Sequence, residues 1–461
     1  MSPIEGLMIF LSILTFYFLA VFSLHKLGIL EKYNISLYGP ALLLRTKKGR
    51  NFIKKLASKK RFWKAYGSFG IVFCFIVMIF MVTIFIWQAG LLFGLDLTPE
   101  QKASLPGPEF ALPLPGINPI LPLEYIGYVI LALAIAIIVH EFSHGILTFA
   151  SKLKVKSLGI LYLIVPIGAF CEPDEEQLKK TDTAKRMRIF AAGPMSNFVT
   201  AFTVLFILSF VFMSAVQPLD GAEILTTFEG TPADEINIPP GSRIINFNDS
   251  KIDNIDNFRN VRENTNPNQT VNITYITNGN VVKDQVKLIS YYAFLDPLTD
   301  EQINESYINI SFLGIGFTPQ DGFTSSLKNP FTYDFPSGFI RLYALPILGY
   351  IEGYNPIASP FKENYEITGP LGVLPDVIFW VIVTALYWIF WLNLAVAVFN
   401  VLPMIPLDGG FLFNDAIGSF IKRIKKDITD EKREKIVKNL SIVVSLTILF
   451  LVLFPFFIKY F

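Results

Sequence analysis

Residues 125–150 read YIGYVILALAIAIIVHEFSHGILTFA, an unbroken apolar run that contains His140-Glu141-Phe142-Ser143-His144. A helix rises 1.5 Å per residue, so the run is long enough to cross a bilayer. Residues i and i+4 share a helix face, so His140 and His144 can point at one ion with Glu141 beside it. Two imidazoles suit zinc, and a neighbouring carboxylate suits a general base for its water. The chain has 3 histidines, and two of them are here. A five-residue pattern also arises by chance on soluble helices. Within hydrocarbon, however, ionisable side chains are costly and rare, which favours a functional reading.

The rest of the chain supports that setting. It has 461 residues, of which 52% are hydrophobic and 15% aromatic. Its mean hydropathy is +0.48, too apolar for a soluble globular protein. A net charge of +1 gives no reason to expect nucleic acid as a partner. Cys74 and Cys171 are the only cysteines, too few for a disulfide framework or a cysteine zinc site.

Five long apolar segments stand out at about 6–28, 67–95, 125–150, 189–216 and 374–400, with a sixth at about 440–460. The first has no basic leader and reads as a span rather than a cleavable signal. Ten Lys/Arg and no acid lie between Arg45 and Lys64. Eight more basic residues lie in 152–188 and eight in 422–438, against Lys102 alone in 96–124. The positive-inside rule then predicts six spans with 29–66, 152–188 and 411–438 cytoplasmic. The HExxH pattern falls toward the cytoplasmic half. Residues 337–352 contain Arg341, Pro346 and Gly349, and read as interfacial or re-entrant. The basic stretch 45–64 suits anchoring on anionic lipid.

A zinc site on one helix needs a further protein ligand. A candidate closes the run 374–400 in Asn400-Val401-Leu402-Pro403-Met404-Ile405-Pro406-Leu407-Asp408-Gly409-Gly410. The prolines stop a helix and the glycines permit a tight bend. A broken helix at membrane depth is tolerated when it lines a cavity or is buried in protein. Asp408 there is either a ligand or part of an Asp-Gly turn at the membrane surface; spacing alone leaves both open.

HExxH in a membrane helix, followed far downstream by Asn-x-x-Pro-x-x-Pro-x-Asp-Gly-Gly, resembles the site-2 protease family of intramembrane zinc metalloproteases. The resemblance covers about 125–215 and 374–411. It implies that His140, His144 and Asp408 hold one Zn2+ and that Glu141 is the catalytic acid/base. Gly193-Pro194-Met195-Ser196-Asn197, at the opening of the fourth span, is similar to a Gly-Pro-x-x-Asn of the family. Asn197 and Asn400 are candidates for substrate or oxyanion contacts, or else ordinary packing hydrogen bonds. The apolar, β-leaning stretch Val155–Phe170 corresponds to a membrane-associated β segment thought to receive the substrate strand; the alternative is a simple re-entrant loop.

Residues 217–336 differ in kind, being rich in Asn, Asp and Thr. TVNITYITNG and VVKDQVKLIS alternate as strands do, with a turn at Asn278-Gly279. Gly230-Thr231-Pro232-Ala233 and Pro240-Gly241-Ser242-Arg243-Ile244-Ile245-Asn246-Phe247-Asn248 resemble a PDZ-like domain over about 219–293. Asp249 or Ser250 stands where the usual pattern has glycine.

The expected fold is therefore a polytopic α-helical membrane protein of about six spans with an inserted extracytoplasmic β-rich PDZ-like domain. Its parts are 1–124 (N-terminal helices), 125–216 (first half of the catalytic core), 217–336 (PDZ-like domain and linker), 337–411 (second half of the core) and 412–461 (basic segment and last helix). The expected activity is zinc-dependent intramembrane endopeptidase action on membrane-spanning protein substrates in the bilayer of a prokaryotic cell membrane, as in regulated intramembrane proteolysis. By the resemblance, the substrate is first trimmed outside, a cytoplasmic fragment is released, and peptide C-termini are possible ligands of the PDZ-like domain. The competing readings are an HExxH membrane protease with a downstream Glu ligand, a receptor or scaffold without proteolysis, and a transporter with a broken helix. The proline-rich Asp408 motif argues against the first. Retention of Glu141 and all three ligand candidates argues against the second, and HExxH against the third.

Overall fold

The computed structural model describes residues 3–94 apart from 34, 39–40 and 47–48, then 118–298 apart from 122 and 164, then 303–317 and 361–458, with scattered positions between these blocks. Seven long helices are described: α1 (Pro3–Lys26), α2 (Lys60–Gly94), α3 (Ile126–Ala150), α4 (Thr183–Ile207), α5 (Asp376–Asn400), α6 (Asp408–Ile424) and α7 (Asp430–Phe457). Among the described residues, α2, α3, α4, α5 and α7 are long and apolar enough to cross a membrane. The predicted first span falls on α1. The segment 337–352, expected to be interfacial or re-entrant, lies largely outside the described residues.

The chain divides into two compact units, one of residues 1–203 and 388–461, the other of 204–387. In the first unit, α2 shows how an all-apolar helix chooses a face. Among its buried positions, Gly67, Gly70, Cys74 and Met78 are spaced three or four apart along one stripe. A Cβ on Gly67 would lie 2.9 Å from Arg188 Cβ, and one on Gly70 would lie 3.3 Å from Met195 Cβ. The two glycines thus let α2 approach α4 closely, as small residues do where helices have no hydrophobic drive to associate. Tyr66 Oη and Ser196 Oγ, 2.6 Å apart, add a hydrogen bond to this seam. Phe69, Ile76, Ile79 and Phe80 on the other faces are exposed, as lipid-facing side chains would be.

The same unit carries a four-stranded antiparallel sheet ordered β1 (Ile35–Tyr38), β2 (Ala41–Thr46), β3 (Val155–Leu163), β4 (Val165–Pro173). The expected β segment is therefore the hairpin β3–β4, extended by a second hairpin from within the basic N-terminal loop. That addition was visible in principle. Ile35–Thr46 is largely apolar about a Gly39-Pro40 break, but the neighbouring lysines favour a charged loop. β2 pairs with β3 from Leu42↔Tyr162 to Thr46↔Leu158, and β4 forms an edge of the sheet.

The second unit contains a six-stranded antiparallel sheet. Strands β5 (Val216–Pro218), β6 (Ala222–Thr227), β7 (Arg243–Phe247), β8 (Ser250–Lys251), β9 (Thr270–Thr277), β10 (Asn280–Lys287), β11 (Ile289–Ser290), β12 (Ser311–Phe312), β13 (Ile315–Phe317) and β14 (Tyr365–Ile367) follow in chain order. The sheet runs β10-β9-β7-β6-β13, with β8 on β7. Alternation does what it predicts in β9: Val271, Ile273 and Tyr275 face a core with Ile244, Phe247, Phe258 and Ile315. Burying each such side chain contributes roughly 1.5–3 kcal/mol. The turn at Asn278-Gly279 is present, with φ of 48° and 73° and Asn280 opposite Thr277. The β7–β8 turn also forms without glycine. Asn248 and Asp249 adopt φ of 49° and 58°, which short polar residues tolerate best after glycine. β13 comes from beyond residue 293, so part of the stretch 294–336 completes this sheet.

The β-rich part of this unit is framed by a paired rung. β5 pairs with β14, Val216↔Ile367 through Pro218↔Tyr365. Leu219 N donates to Asn364 O at 2.9 Å and Thr368 N to Ala215 O at 2.7 Å. Buried Glu223 accepts from Asn364 Nδ2 (3.0 Å) and Tyr365 Oη (2.9 Å), tying this rung to β6.

Candidate metal centre

On α3, His140 and His144 stand one turn apart with ring centroids 4.8 Å from each other. The end of α3 that carries them is fixed by packing. Ile146 and Leu147 are buried with Ile53 of the short helix Arg50–Leu56, Val155 and Leu158 of β3, Cys171 of β4, and Ile189 and Ala192 of α4. Gly145 permits the close approach: a Cβ there would lie 3.0 Å from Cys171 Sγ.

Asp408 arrives from the far end of the sequence. It is the first residue of α6, and its Oδ2 lies 3.0 Å from His140 Nε2 and 3.1 Å from His144 Nε2. The ligand atoms of the three residues lie within 4.8 Å of one another. The paired glycines do not make the predicted bend. Both lie in the first turn of α6, where a Cβ on Gly409 would strike the Val401 carbonyl and one on Gly410 would lie 2.7 Å from Met404 O. They are there because the helix start presses against the preceding Pro-rich turn.

A single face of α4 covers the histidines. Ile189, Gly193 and Asn197 lie at i, i+4 and i+8. The Gly-Pro-x-x-Asn segment therefore does not open the helix as expected. α4 starts ten residues earlier, at Thr183, and runs through Pro194. The basic stretch Thr183–Arg188 hid that start in a reading keyed to apolar runs. A Cβ on Gly193 would lie 2.5 Å from both His140 Nε2 and His144 Nε2, so glycine keeps open the space those two atoms share.

The proton positions follow from these neighbours. His144 Nδ1 lies 2.7 Å from Ile189 O, and a carbonyl only accepts, so Nδ1 carries a proton and Nε2, 3.1 Å from Asp408 Oδ2, would offer its lone pair to a metal bound between them. Asn197 is fully buried; its Nδ2 lies 3.4 Å from His140 Nδ1 while its Oδ1 has no partner among the described residues. Which amide atom is oxygen is an assignment made from the network. Turning the amide over gives Oδ1 a donor in His140 Nδ1–H and leaves His140 Nε2 with its lone pair. Two imidazole lone pairs and one carboxylate then converge, a donor set that fits zinc. Asn197→Ala is expected to weaken zinc binding about 10–100-fold, the usual effect of removing a group that orients a metal-binding histidine. Zinc competition against a chelator measures this, and unchanged affinity would remove Asn197 from this role.

Glu141 Oε2 accepts from Cys171 N of β4 at 2.8 Å. Asn400, the other candidate for a substrate contact, instead donates to Val396 O at 2.9 Å, four residues back on its own helix. The features missed from sequence are the Ile189 carbonyl, the Cys171 N–H and the space at Gly193. Two are backbone groups without a residue-type signal.

Comparisons with known proteins identify a family. A family model described as peptidase family M50 matches residues 128–448. An uncharacterized protein of Methanocaldococcus jannaschii is 26% identical, covering 84% of this chain and 80% of its own. The zinc metalloprotease RasP of Oceanobacillus iheyensis is 26% identical, covering 52% of this chain and 53% of its own. Among solved structures, the PDZ domain of an SdrC-like protein from Listeria monocytogenes aligns at 16% identity, covering 21% of this chain and 87% of that one, with a TM-score of 0.17.

Proposed function

We propose, from the premise that this chain belongs to peptidase family M50, the site-2 protease family, that it cleaves membrane-spanning segments of other proteins at a zinc site held by His140, His144 and Asp408. The family and the apolar helices make it a membrane protein and a metalloprotease. The observation that carries the finer reading is the convergence of three ligand atoms, two from an apolar helix and one from 264 residues downstream.

When bound, zinc supplies a Lewis acid for the scissile carbonyl and lowers the pKa of water. Glu141 takes a proton from the attacking water on a carboxylate oxygen and passes it to the leaving nitrogen. Ile189 O and Asn197 hold the two rings in the tautomer that faces the ion. A helical substrate must first free its carbonyls from their own hydrogen bonds. The edge strand β4 offers replacement partners, and Glu141 touches this strand at Cys171, so a segment laid along β4 reaches the base directly. By the distribution of Lys and Arg, the zinc site faces the cytoplasmic half and the β-rich unit, read as PDZ-like, lies outside. There it would bind substrate tails or newly cut C-termini.

The direct test is the zinc content of the purified full chain, together with its cleavage of a single-span reporter. One zinc per chain with chelator-sensitive cleavage supports the proposal. A well-folded chain without zinc that leaves several reporters intact would defeat it.

A further inference from the structure

Asp408 occupies a precarious position for a ligand. It is the first residue of its helix, Leu407 before it provides no side-chain cap, and helix ends fray. The turn before it supports this helix start on one side, at Gly409 and Gly410, and the register of the helix against α4 is set further along.

Two turns further along α6, Asp415 meets Arg186 of α4. Arg186 Nε lies 2.8 Å from Asp415 Oδ2, and Arg186 Nη2 lies 2.5 Å from Oδ1, a two-pronged pairing. The side chains are 23% and 11% exposed, so water screens the pair weakly. Between this pair and the metal centre, Phe190 stacks on Phe411 at 4.9 Å and 16°. At the centre itself, Gly193 of α4 faces the two Nε2 atoms that Asp408 touches.

The direct contacts form two rungs, 186/415 and 190/411, and beyond them Gly193 and Asp408 face the same two Nε2 atoms. Numbers rise along α4 as they fall along α6, so the helices run antiparallel. Positions 186, 190, 193 and 197 share one face of α4, and 408, 411 and 415 one face of α6. The aromatic rung tolerates sliding, because stacked rings have a broad optimum. A guanidinium fork on a carboxylate does not.

We propose that the Arg186–Asp415 pair is a positioning device that sets the register of α6 against α4 and thereby holds Asp408 in place as the third ligand. The proposal rests on the metalloprotease reading above. Neither residue touches substrate or metal; both act through Asp408.

The experiment uses the zinc-loaded full chain in detergent. It follows zinc loss to an excess of chelator, and separately kcat and KM on a single-span reporter. Arg186→Ala and Asp415→Asn are expected to lose zinc about 10-fold faster, in the range known for groups behind metal ligands. In both, kcat falls by about 10–100-fold while KM stays within about 2-fold, because the groups that bind substrate remain. Arg186→Lys keeps the charge without the fork and falls in between. The double exchange Arg186→Asp with Asp415→Arg recovers most of the zinc retention, which a general packing defect would not. Asp430→Asn removes the Arg433–Asp430 pair on α7 and changes neither readout. Wild-type zinc retention in Arg186→Ala overturns the proposal, as does a folded double exchange no better than either single change. A wild type that binds no zinc and cuts nothing overturns the metalloprotease reading itself, a result distinct from both.

Discussion

Glu141→Gln is expected to lower cleavage of a single-span reporter by about 10²–10⁴-fold, the usual contribution of a positioned acid/base, while zinc content stays at the wild-type level. The structure explains why the two effects separate. His140, His144 and Asp408 keep every contact that brings their ligand atoms together, so the metal site survives. Glutamine has nearly the shape of glutamate and still offers an oxygen to Cys171 N–H, so the link to β4 survives as well. The one property lost is the capacity to take up a proton and give it back. Metal analysis and turnover on the same preparation decide the matter. Full activity in the variant would exclude Glu141 as the base, and loss of zinc along with activity would make it structural.

Gly193→Ala is expected to have an effect as large by a different route, with zinc lost and cleavage reduced to background. The added methyl would sit 2.5 Å from both Nε2 atoms, well inside contact distance. Zinc bonds to imidazole nitrogen at about 2.0–2.1 Å, so methyl and ion compete for the same space. Gly193 lies mid-helix, where alanine is otherwise the better residue by about 0.5–1 kcal/mol. The helix preference and the clash with the imidazoles oppose each other, so the variant should fold with a small net change in stability while it fails to bind metal. A zinc titration beside a thermal melt tests both halves. Zinc binding at wild-type affinity would mean that α4 stands further from the histidines than this structure has it.

Much of this was readable in advance, for identifiable reasons. The HExxH pair and the Asp408 motif are side-chain signals, and the fold brings His140, His144 and Asp408 together, although spacing alone left Asp408 open as a surface turn. The apolar runs located the long helices because hydrocarbon thickness sets a minimum length. The Asn278-Gly279 turn followed from backbone preference. What escaped the reading lacked such signals. The start of α4 was hidden because Thr183–Arg188 is basic, and neither apolar content nor amphipathic period marks it. β1 and β2 were hidden because their short hairpin adjoins a run of lysines and because β3, the other partner of β2, lies far along the chain. Gly193 was quoted only as part of a motif, since its purpose is the absence of an atom. The 186/415 rung joins two separately ordinary charges and emerges only when α4 and α6 are laid side by side.

The β5–β14 rung has a consequence for how such a chain can be assembled and changed. The polypeptide leaves α4 and returns to α5 through adjacent, hydrogen-bonded strands, about 4.8 Å apart in a sheet. To the helices on either side, everything from Leu219 to Asn364 is equivalent to a short hairpin. Holding its ends together costs the membrane helices no long-loop entropy once the rung has formed, however large the loop. The inserted unit is thus a cassette. It can lengthen, shrink or be exchanged for another folded module without altering the distance its neighbours must span, so the insert and the helices around it are free to diversify on separate schedules.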